Sequence, residues 1–159
     1  MSANDRYEID LHVLQKLNNN TNSSLKYFIN KAMKQAFQSK LAYQHGCVIV
    51  HNGTVVGEGC NEYRKSGYVS TYANKCETFT KHAEMSALQD MHYRGHNCKK
   101  LLPKSTLIVV RLPKKCKIGT EINIYSYENV SANECVNSKP CRECQKVLKK
   151  WNMGSIYHT

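Results

Sequence analysis

The chain has 159 residues, of which 41% are hydrophobic, and its formal net charge is +11. This length predicts one globular domain with its own core, and no apolar run is long enough to span a membrane. Residues 1–6 lack the apolar core of a signal peptide, so we expect a cytoplasmic protein without a membrane partner. In that compartment the eight cysteines favour metal binding or burial over disulfides. The positive net charge favours a phosphorylated or polyanionic partner, although a basic surface that is only solvated gives the same charge.

The N-terminal part of the chain divides into two segments. Residues 1–24 are interpreted as an extension, and residues 25–159 as the main domain. Within the extension, a weak helical period from Tyr7 to Leu17 is followed by a polar loop. The stretch from Leu25 to about Lys40 carries an apolar stripe that is typical of an amphipathic helix.

The clearest element is a β-hairpin. Gly46–Val50 and Thr54–Gly59 are apolar runs separated by His-Asn-Gly, and Asn-Gly between such runs is a strong turn signal. Residues 61–80 are irregular and rich in Tyr, Ser and Asn.

Two helices and two strands follow the hairpin. Thr80 is the expected N-cap of a helix over residues 81–92, and residues 106–112 form a buried type of strand. A further helix starts near Pro140, where the missing N–H costs nothing, and residues 155–159 form a last short strand. This alternation predicts an α/β domain with helices packed on both faces of a sheet.

The C-terminal helix begins with Pro140-Cys141-Arg142-Glu143-Cys144. Two cysteines three positions apart on the first helical turn can face one metal ion, and the helix N-terminus stabilises their thiolates. By itself the Cys-x-x-Cys pattern is equally typical of a redox site, half of a structural zinc site or buried thiols.

A second segment supplies what the cysteines lack. His82 offers a third ligand, which leaves the fourth zinc position open as in catalytic sites, and bound zinc lowers the pKa of a water molecule toward neutrality. Glu84 follows two residues later and can move protons without binding the metal. A His-x-Glu pattern followed by Pro-Cys-x-x-Cys is the signature of zinc deaminases.

On these residues and on the hairpin through Asn61, the chain resembles the cytidine and deoxycytidylate deaminase superfamily, which also contains deaminases of tRNA and of polynucleotide cytosine. The resemblance covers residues 25–159 and implies a three-layer α/β/α fold with a mixed central sheet. It implies that His82, Cys141 and Cys144 bind Zn²⁺ and that Glu84 is the proton shuttle in hydrolysis at C4 of cytosine.

Two further residues are assigned to the substrate by the resemblance. Ala83 leaves its backbone N–H available to the base, and Asn61 occupies a position that contacts the sugar in many members of the family. An asparagine in this position is also typical of a turn residue that bonds the local backbone.

The substrate is predicted to be a nucleoside or nucleotide of the cytidine or deoxycytidylate type. A polynucleotide deaminase acting on tRNA or single-stranded DNA is the alternative, favoured by the net charge, by a loop that contains Tyr63, Tyr68 and Tyr72, and by a basic helix face. Arg64 and Lys65 are candidates for a 5′-phosphate or for simple solvation. A third interpretation is a catalytically idle zinc-binding interaction module, which would not need Glu84.

Other features remain open at this stage. The family sheet has five strands and four are evident here, so the insert segment Ile122–Tyr127 is predicted to add a strand or to cover an edge. Exposed edges invite pairing with another chain, and we expect a homo-oligomer. The remaining candidate ligands allow a second zinc site, although burial is the commoner fate of such residues: Cys76, His92, His96 and Cys98.

Overall fold

The computed structural model describes residues 8–10, 23–64, 80–112 and 136–159. In these ranges the strands are β1 (Glu8–Asp10), β2 (His45–His51), β3 (Thr54–Cys60), β4 (Glu62–Tyr63), β5 (Thr80–Lys81), β6 (Ser105–Arg111) and β7 (Ser155–His158). The helices are α1 (Ser23–Gln38), α2 (Ala83–Tyr93), α3 (Cys98–Leu101) and α4 (Arg142–Lys150), with a 3₁₀ turn at Leu102–Lys104. No helix in the described ranges is both long enough and apolar enough to cross a membrane.

A mixed five-stranded sheet forms the centre of the molecule, in the order β1-β7-β6-β2-β3. The hairpin of β2 and β3 is confirmed, and its turn residues Asn52 and Gly53 have φ values of 47° and 75°, as the tight mirror-image turns of hairpins require. Strand β2 is antiparallel to β6, with His45 opposite Arg111, and β6 is parallel to β7.

Helices cover both faces of this sheet, which confirms the predicted three-layer architecture. Side chains alternate along β2, so that Cys47 and Ile49 join a buried cluster with α2 and α4, whereas Val48 and Val50 join a cluster with α1. The period of two in the strands and the apolar stripes of the helices account for this division.

The fifth strand comes from the segment interpreted as an extension. Residues 8–10 pair in parallel with β7, Ile9 lying opposite Tyr157, so the helical period read from Tyr7 is wrong for these three residues. The segment Ile122–Tyr127 lies outside the described residues, and the boundary at residue 24 stays a prediction.

Both site-bearing helices begin later than predicted. Thr80 is not the N-cap of α2, because Thr80 and Lys81 pair with β4 in an antiparallel ladder and His82 takes the capping position. Helix α4 begins at Arg142 with Cys141 as its N-cap, two residues after the predicted start at Pro140.

Candidate metal centre and catalytic cavity

His82 is held at the N-terminal end of α2 with an extended backbone (φ −75°, ψ 156°). The helix lies directly on β3, since a Cβ added to Gly59 would be 2.5 Å from the Cβ of Ser86 and 2.9 Å from the backbone nitrogen of Ala87. Glycine therefore permits the close approach that fixes the height of α2 above the sheet.

Cys141 and Cys144 are fixed by the first turn of α4. The Cys144 backbone N–H donates to Cys141 Sγ at 3.5 Å, a distance accepted for sulfur, which orients this thiol toward the helix start. Cys144 is buried and Cys141 is exposed, so one thiol lies in the core and the other faces the cavity.

The two segments meet, as the sequence predicts. His82 Nδ1 lies 3.4 Å from Cys141 Sγ and 3.3 Å from Cys144 Sγ. All three ligand atoms lie within 4.8 Å of one another, and no other group of three His, Cys, Asp or Glu side chains in the described ranges does so.

The chemistry of this donor set fits Zn²⁺. Burial raises the pKa of the Cys144 thiol, and the charges of Glu84 and Cys141 raise it further. The thiolate form of Cys144 therefore needs a nearby cation to stabilise it. Two thiolates and one imidazole are ligands that zinc prefers, and three protein ligands are the number found in catalytic zinc sites. The three residues can hold the ion and leave one position open.

Glu84 is the second residue of α2, two positions after His82, and its side chain is buried, with 5% exposed. Burial raises the pKa of its carboxyl, against the lowering effects of its own backbone N–H, the nearby His82 and a hydrogen bond with Cys144. Burial raises the pKa of the Cys47 thiol in β2, and the charge of Glu84 raises it further. A buried carboxyl beside the ligands, but outside the ligand group, is suited to proton transfer.

The ligands open onto a cavity of about 450 Å³. The structure brings the other predicted site residues, Asn61 and Ala83, to its wall together with His82, Glu84 and Cys141. Several lining residues were not predicted as site residues. They come from the segment before β2, from the first position of β2 and from the segment before α4: Tyr43, His45, Ser138 and Lys139.

His45 also forms part of this wall. Burial lowers the pKa of its imidazole, and the charges of Arg111 and His82 also lower it, although a hydrogen bond with the Tyr43 carbonyl acts in the opposite direction. The alternation along β2, where Cys47 and Ile49 share the face of His45, is the sequence signal that identifies it.

Asn61 is buried beside the cavity with its amide bonded to the backbone. Its Oδ1 accepts from the His45 N–H at 2.8 Å, and its Nδ2 donates to the Tyr43 carbonyl at 2.7 Å. These bonds join the end of β3 to the segment before β2 and shape the cavity wall. The contact of Asn61 with a substrate stays a prediction.

Ser138 anchors the segment that leads into Cys141. Its hydroxyl donates to the Val109 carbonyl at 2.8 Å and accepts from the Thr159 N–H at 2.8 Å. The segment before α4 is therefore tied to β6 and to the residue that follows β7, which limits the movement of the first cysteine ligand.

The secondary predictions have mixed outcomes. Arg64 lines a separate cavity of about 440 Å³ near the outer edge of β3, while Tyr63 borders both cavities. Cys98 is buried, and no second metal-ligand group occurs in the described ranges. His92 is exposed and His96 is half-buried, and neither belongs to a metal-ligand group. Four other residues named for these sites lie outside the described residues: Lys65, Tyr68, Tyr72 and Cys76.

Residues 22–159 match the family described as "Cytidine and deoxycytidylate deaminase zinc-binding region". The chain belongs to this family, which confirms the resemblance drawn from the motifs. One solved dCMP deaminase structure agrees with the assignment at the level of the fold.

The dCMP deaminase from the cyanophage S-TIM5 is similar in its apo form, with 20% identity, 87% of this chain and 84% of that chain covered, and a TM-score of 0.49. The structure of the same phage protein in complex with dCMP and dUMP has 18% identity and a TM-score of 0.50, with 87% of this chain and 83% of that chain covered. RibD from Acinetobacter baumannii, form 1, has 18% identity, a TM-score of 0.44 and coverage of 86% of this chain but 28% of its own. No protein of curated function matches the sequence significantly.

Proposed function

We propose that the chain is a zinc-dependent hydrolase that converts the cytosine of a nucleoside or nucleotide to uracil and releases ammonia. The observation that carries this proposal is the buried carboxyl of Glu84 beside a three-ligand metal centre at a cavity wall. A structural zinc site is closed by four protein ligands and has no use for such a carboxyl.

The residues of the cavity divide the reaction between them. Zinc held by His82, Cys141 and Cys144 would lower the pKa of a water molecule. Glu84 accepts the proton of that water as it attacks C4 and delivers it to N3 of the ring, and a second proton from the water reaches the departing amine through the same carboxyl. Burial raises the pKa of the Glu84 carboxyl, which makes the group a better proton acceptor and suits it to this work.

A mononucleotide of the deoxycytidylate type is the preferred substrate in this proposal. The cavity volume of about 450 Å³ lies in the range of small-molecule sites, and exposed Lys139 borders the cavity, where it can meet a phosphate. The phage protein of similar fold is described with dCMP and dUMP, which is consistent with this choice.

A substrate panel tests the proposal. The zinc-loaded protein is incubated with cytidine, CMP, dCMP, single-stranded DNA and tRNA, and ammonia release and product mass are measured. Turnover of dCMP or of the other monomers supports the proposal. Turnover of polymers alone would assign the chain to the polynucleotide deaminases, and zinc binding without any turnover would favour the idle module.

Substitution of Glu84 tests the mechanism itself. Glu84→Gln keeps the size of the side chain but cannot carry the proton, so we expect turnover to fall by at least about 10²- to 10⁴-fold, while the zinc content per chain is unchanged. Activity within tenfold of the parent protein, at full zinc content, would remove Glu84 from the proton path.

A further inference from the structure

His45 is held by Asn61 at both of its backbone groups. The His45 N–H donates to Asn61 Oδ1 at 2.8 Å, and the Asn61 N–H donates to the His45 carbonyl at 3.2 Å. Asn61 is itself anchored, because its carbonyl accepts from the Ser39 hydroxyl at 2.8 Å and its Nδ2 donates to the Tyr43 carbonyl at 2.7 Å. The backbone that carries the His45 imidazole is therefore fixed at the cavity wall.

The strand and the helix behind it support the same backbone. His45 is the first residue of β2 and lies opposite Arg111 of β6. A Cβ added to the next residue, Gly46, would overlap the Ala32 carbonyl oxygen and the Ala36 backbone nitrogen of α1, so β2 and α1 are in direct contact there. Recognition of a single group on a ligand requires a side chain held within about 0.5 Å, and this support supplies it.

The hydrogen bond of the imidazole determines what the ring offers to the cavity. One ring nitrogen bonds to the Tyr43 carbonyl. A carbonyl only accepts, so this nitrogen carries the proton of the neutral ring. In the described part of the chain the other ring nitrogen has no protein partner. Because His45 lines the cavity and is half-buried, this second nitrogen is available to a bound molecule.

A cytosine deoxynucleotide has few groups that can meet this nitrogen. Its hydrogen-bond donors are the exocyclic amine and the 3′-hydroxyl. The amine is the leaving group in the proposed reaction, so it must face Glu84 and the metal ligands. The 3′-hydroxyl remains, and it suits the imidazole in either charge state because a hydroxyl both donates and accepts.

We propose that His45 determines specificity for the sugar by bonding the 3′-hydroxyl of a deoxycytidylate-type substrate, and that Asn61 acts through His45 as a positioning residue. The inference rests on the proposed function, from which it takes the identity of the substrate. The amide oxygen and the amide nitrogen of Asn61 both bond to the backbone of this wall, so the side chain that meets the sugar is the one that Asn61 holds in place.

A comparison of two nucleotides and two side chains tests this hydrogen bond. The nucleotides are dCMP and 2′,3′-dideoxycytidine 5′-monophosphate, which lacks only the 3′-hydroxyl, and the variant is His45→Phe, which keeps a planar ring without nitrogen. In the parent protein we expect kcat/KM to be about tenfold higher for dCMP, the contribution of one good hydrogen bond. In His45→Phe the two values should become equal. Structural damage would lower both values and leave their ratio unchanged.

Two further variants control the comparison. Lys139→Gln removes a charge from the border of the cavity, and because both nucleotides carry the same 5′-phosphate, their ratio should stay as in the parent protein. His45→Gln supplies an amide that can donate and accept, and it should recover part of the ratio. Circular dichroism and the zinc content per chain show whether each variant is folded.

Dissociation constants separate this inference from the proposed function. They are measured by calorimetry for the same two nucleotides in the Glu84→Gln background, with and without His45→Phe. Tighter binding of dCMP that depends on His45 supports the inference even if the parent protein releases no ammonia, a result that would overturn only the proposed deamination. The inference is overturned if His45→Phe keeps the parent's ratio, if the parent protein treats both nucleotides alike, or if neither nucleotide binds. Turnover of dCMP with an unchanged ratio in His45→Phe would leave the proposed function standing and remove His45 from the sugar contact.

Discussion

The contact between Gly59 and α2 gives a direct way to disturb the metal centre from a distance. In Gly59→Ala the new methyl carbon would lie 2.5 Å from the Ser86 Cβ and 2.9 Å from the Ala87 backbone nitrogen. Carbon atoms in contact rest about 3.5–4.0 Å apart, so the helix and the strand must separate by about 1 Å.

That separation acts on both stability and metal binding. Overpacking of this kind costs about 1–3 kcal/mol of unfolding free energy. Ser86 lies one helical turn after His82, and its N–H donates to the His82 carbonyl at 3.0 Å, so the ligand moves with the helix. Zinc sites require distances within about 0.2 Å of their ideal values, and we expect the zinc dissociation constant to rise at least about tenfold, which is about 1.4 kcal/mol.

Two measurements check this expectation: urea denaturation of the metal-free protein, and competition for zinc with a chromophoric chelator. Gly53→Ala is the control, because its φ of +75° makes any Cβ strained while no heavy atom lies within 4 Å of it. It should lose about 1–2 kcal/mol of stability and keep its zinc affinity. Unchanged zinc affinity in Gly59→Ala, or equal weakening in both variants, would refute the reasoning.

Two further outcomes are expected. Free zinc at about 100 times its dissociation constant should add about 2.7 kcal/mol to the free energy of unfolding and raise Tm by about 5–10 °C. Cys141→Ala should abolish this shift in Tm. A zinc-dependent shift that persists in the variant would exclude Cys141 as a ligand. Asn61→Ala removes both amide bonds to Tyr43 and His45 and should cost about 2–4 kcal/mol in denaturant unfolding. Asn61→Asp keeps the acceptor for the His45 N–H but places an oxygen against the Tyr43 carbonyl, so it should also lose stability. Unchanged stability in either variant would contradict the assigned bonds.

Much of the fold is readable in the sequence because its signals are local. The Asn52-Gly53 turn, the alternation along the hairpin and the apolar stripe of α1 each depend on residues within one element. The three-residue strand β1 is different, since Glu8–Asp10 carries no pattern of its own and owes its conformation to pairing with β7. The start of α2 was misplaced for a similar reason, because pairing of Thr80 and Lys81 with β4 takes precedence over the capping preference of threonine.

The metal centre was predictable because ligand chemistry restricts the residue types and their spacing so strongly. His82, Cys141 and Cys144 converge as the motifs imply. The rest of the cavity wall is less evident in the sequence. His45 is indicated only by the alternation along β2, and Ser138 carries no motif and is placed by its hydrogen bond to the Val109 carbonyl of β6.

The ligands of the metal centre lie 59 positions apart in the chain, and this separation has a consequence for the entropy of the polypeptide. The cost of closing a loop grows only with the logarithm of its length, about 0.6 kcal/mol for each doubling. Both ends of the intervening chain are fixed independently, His82 by the contact of α2 with β3 and Cys141 by Ser138 and α4. The number of residues between these two ends therefore has little effect on the entropic cost of bringing the ligands together.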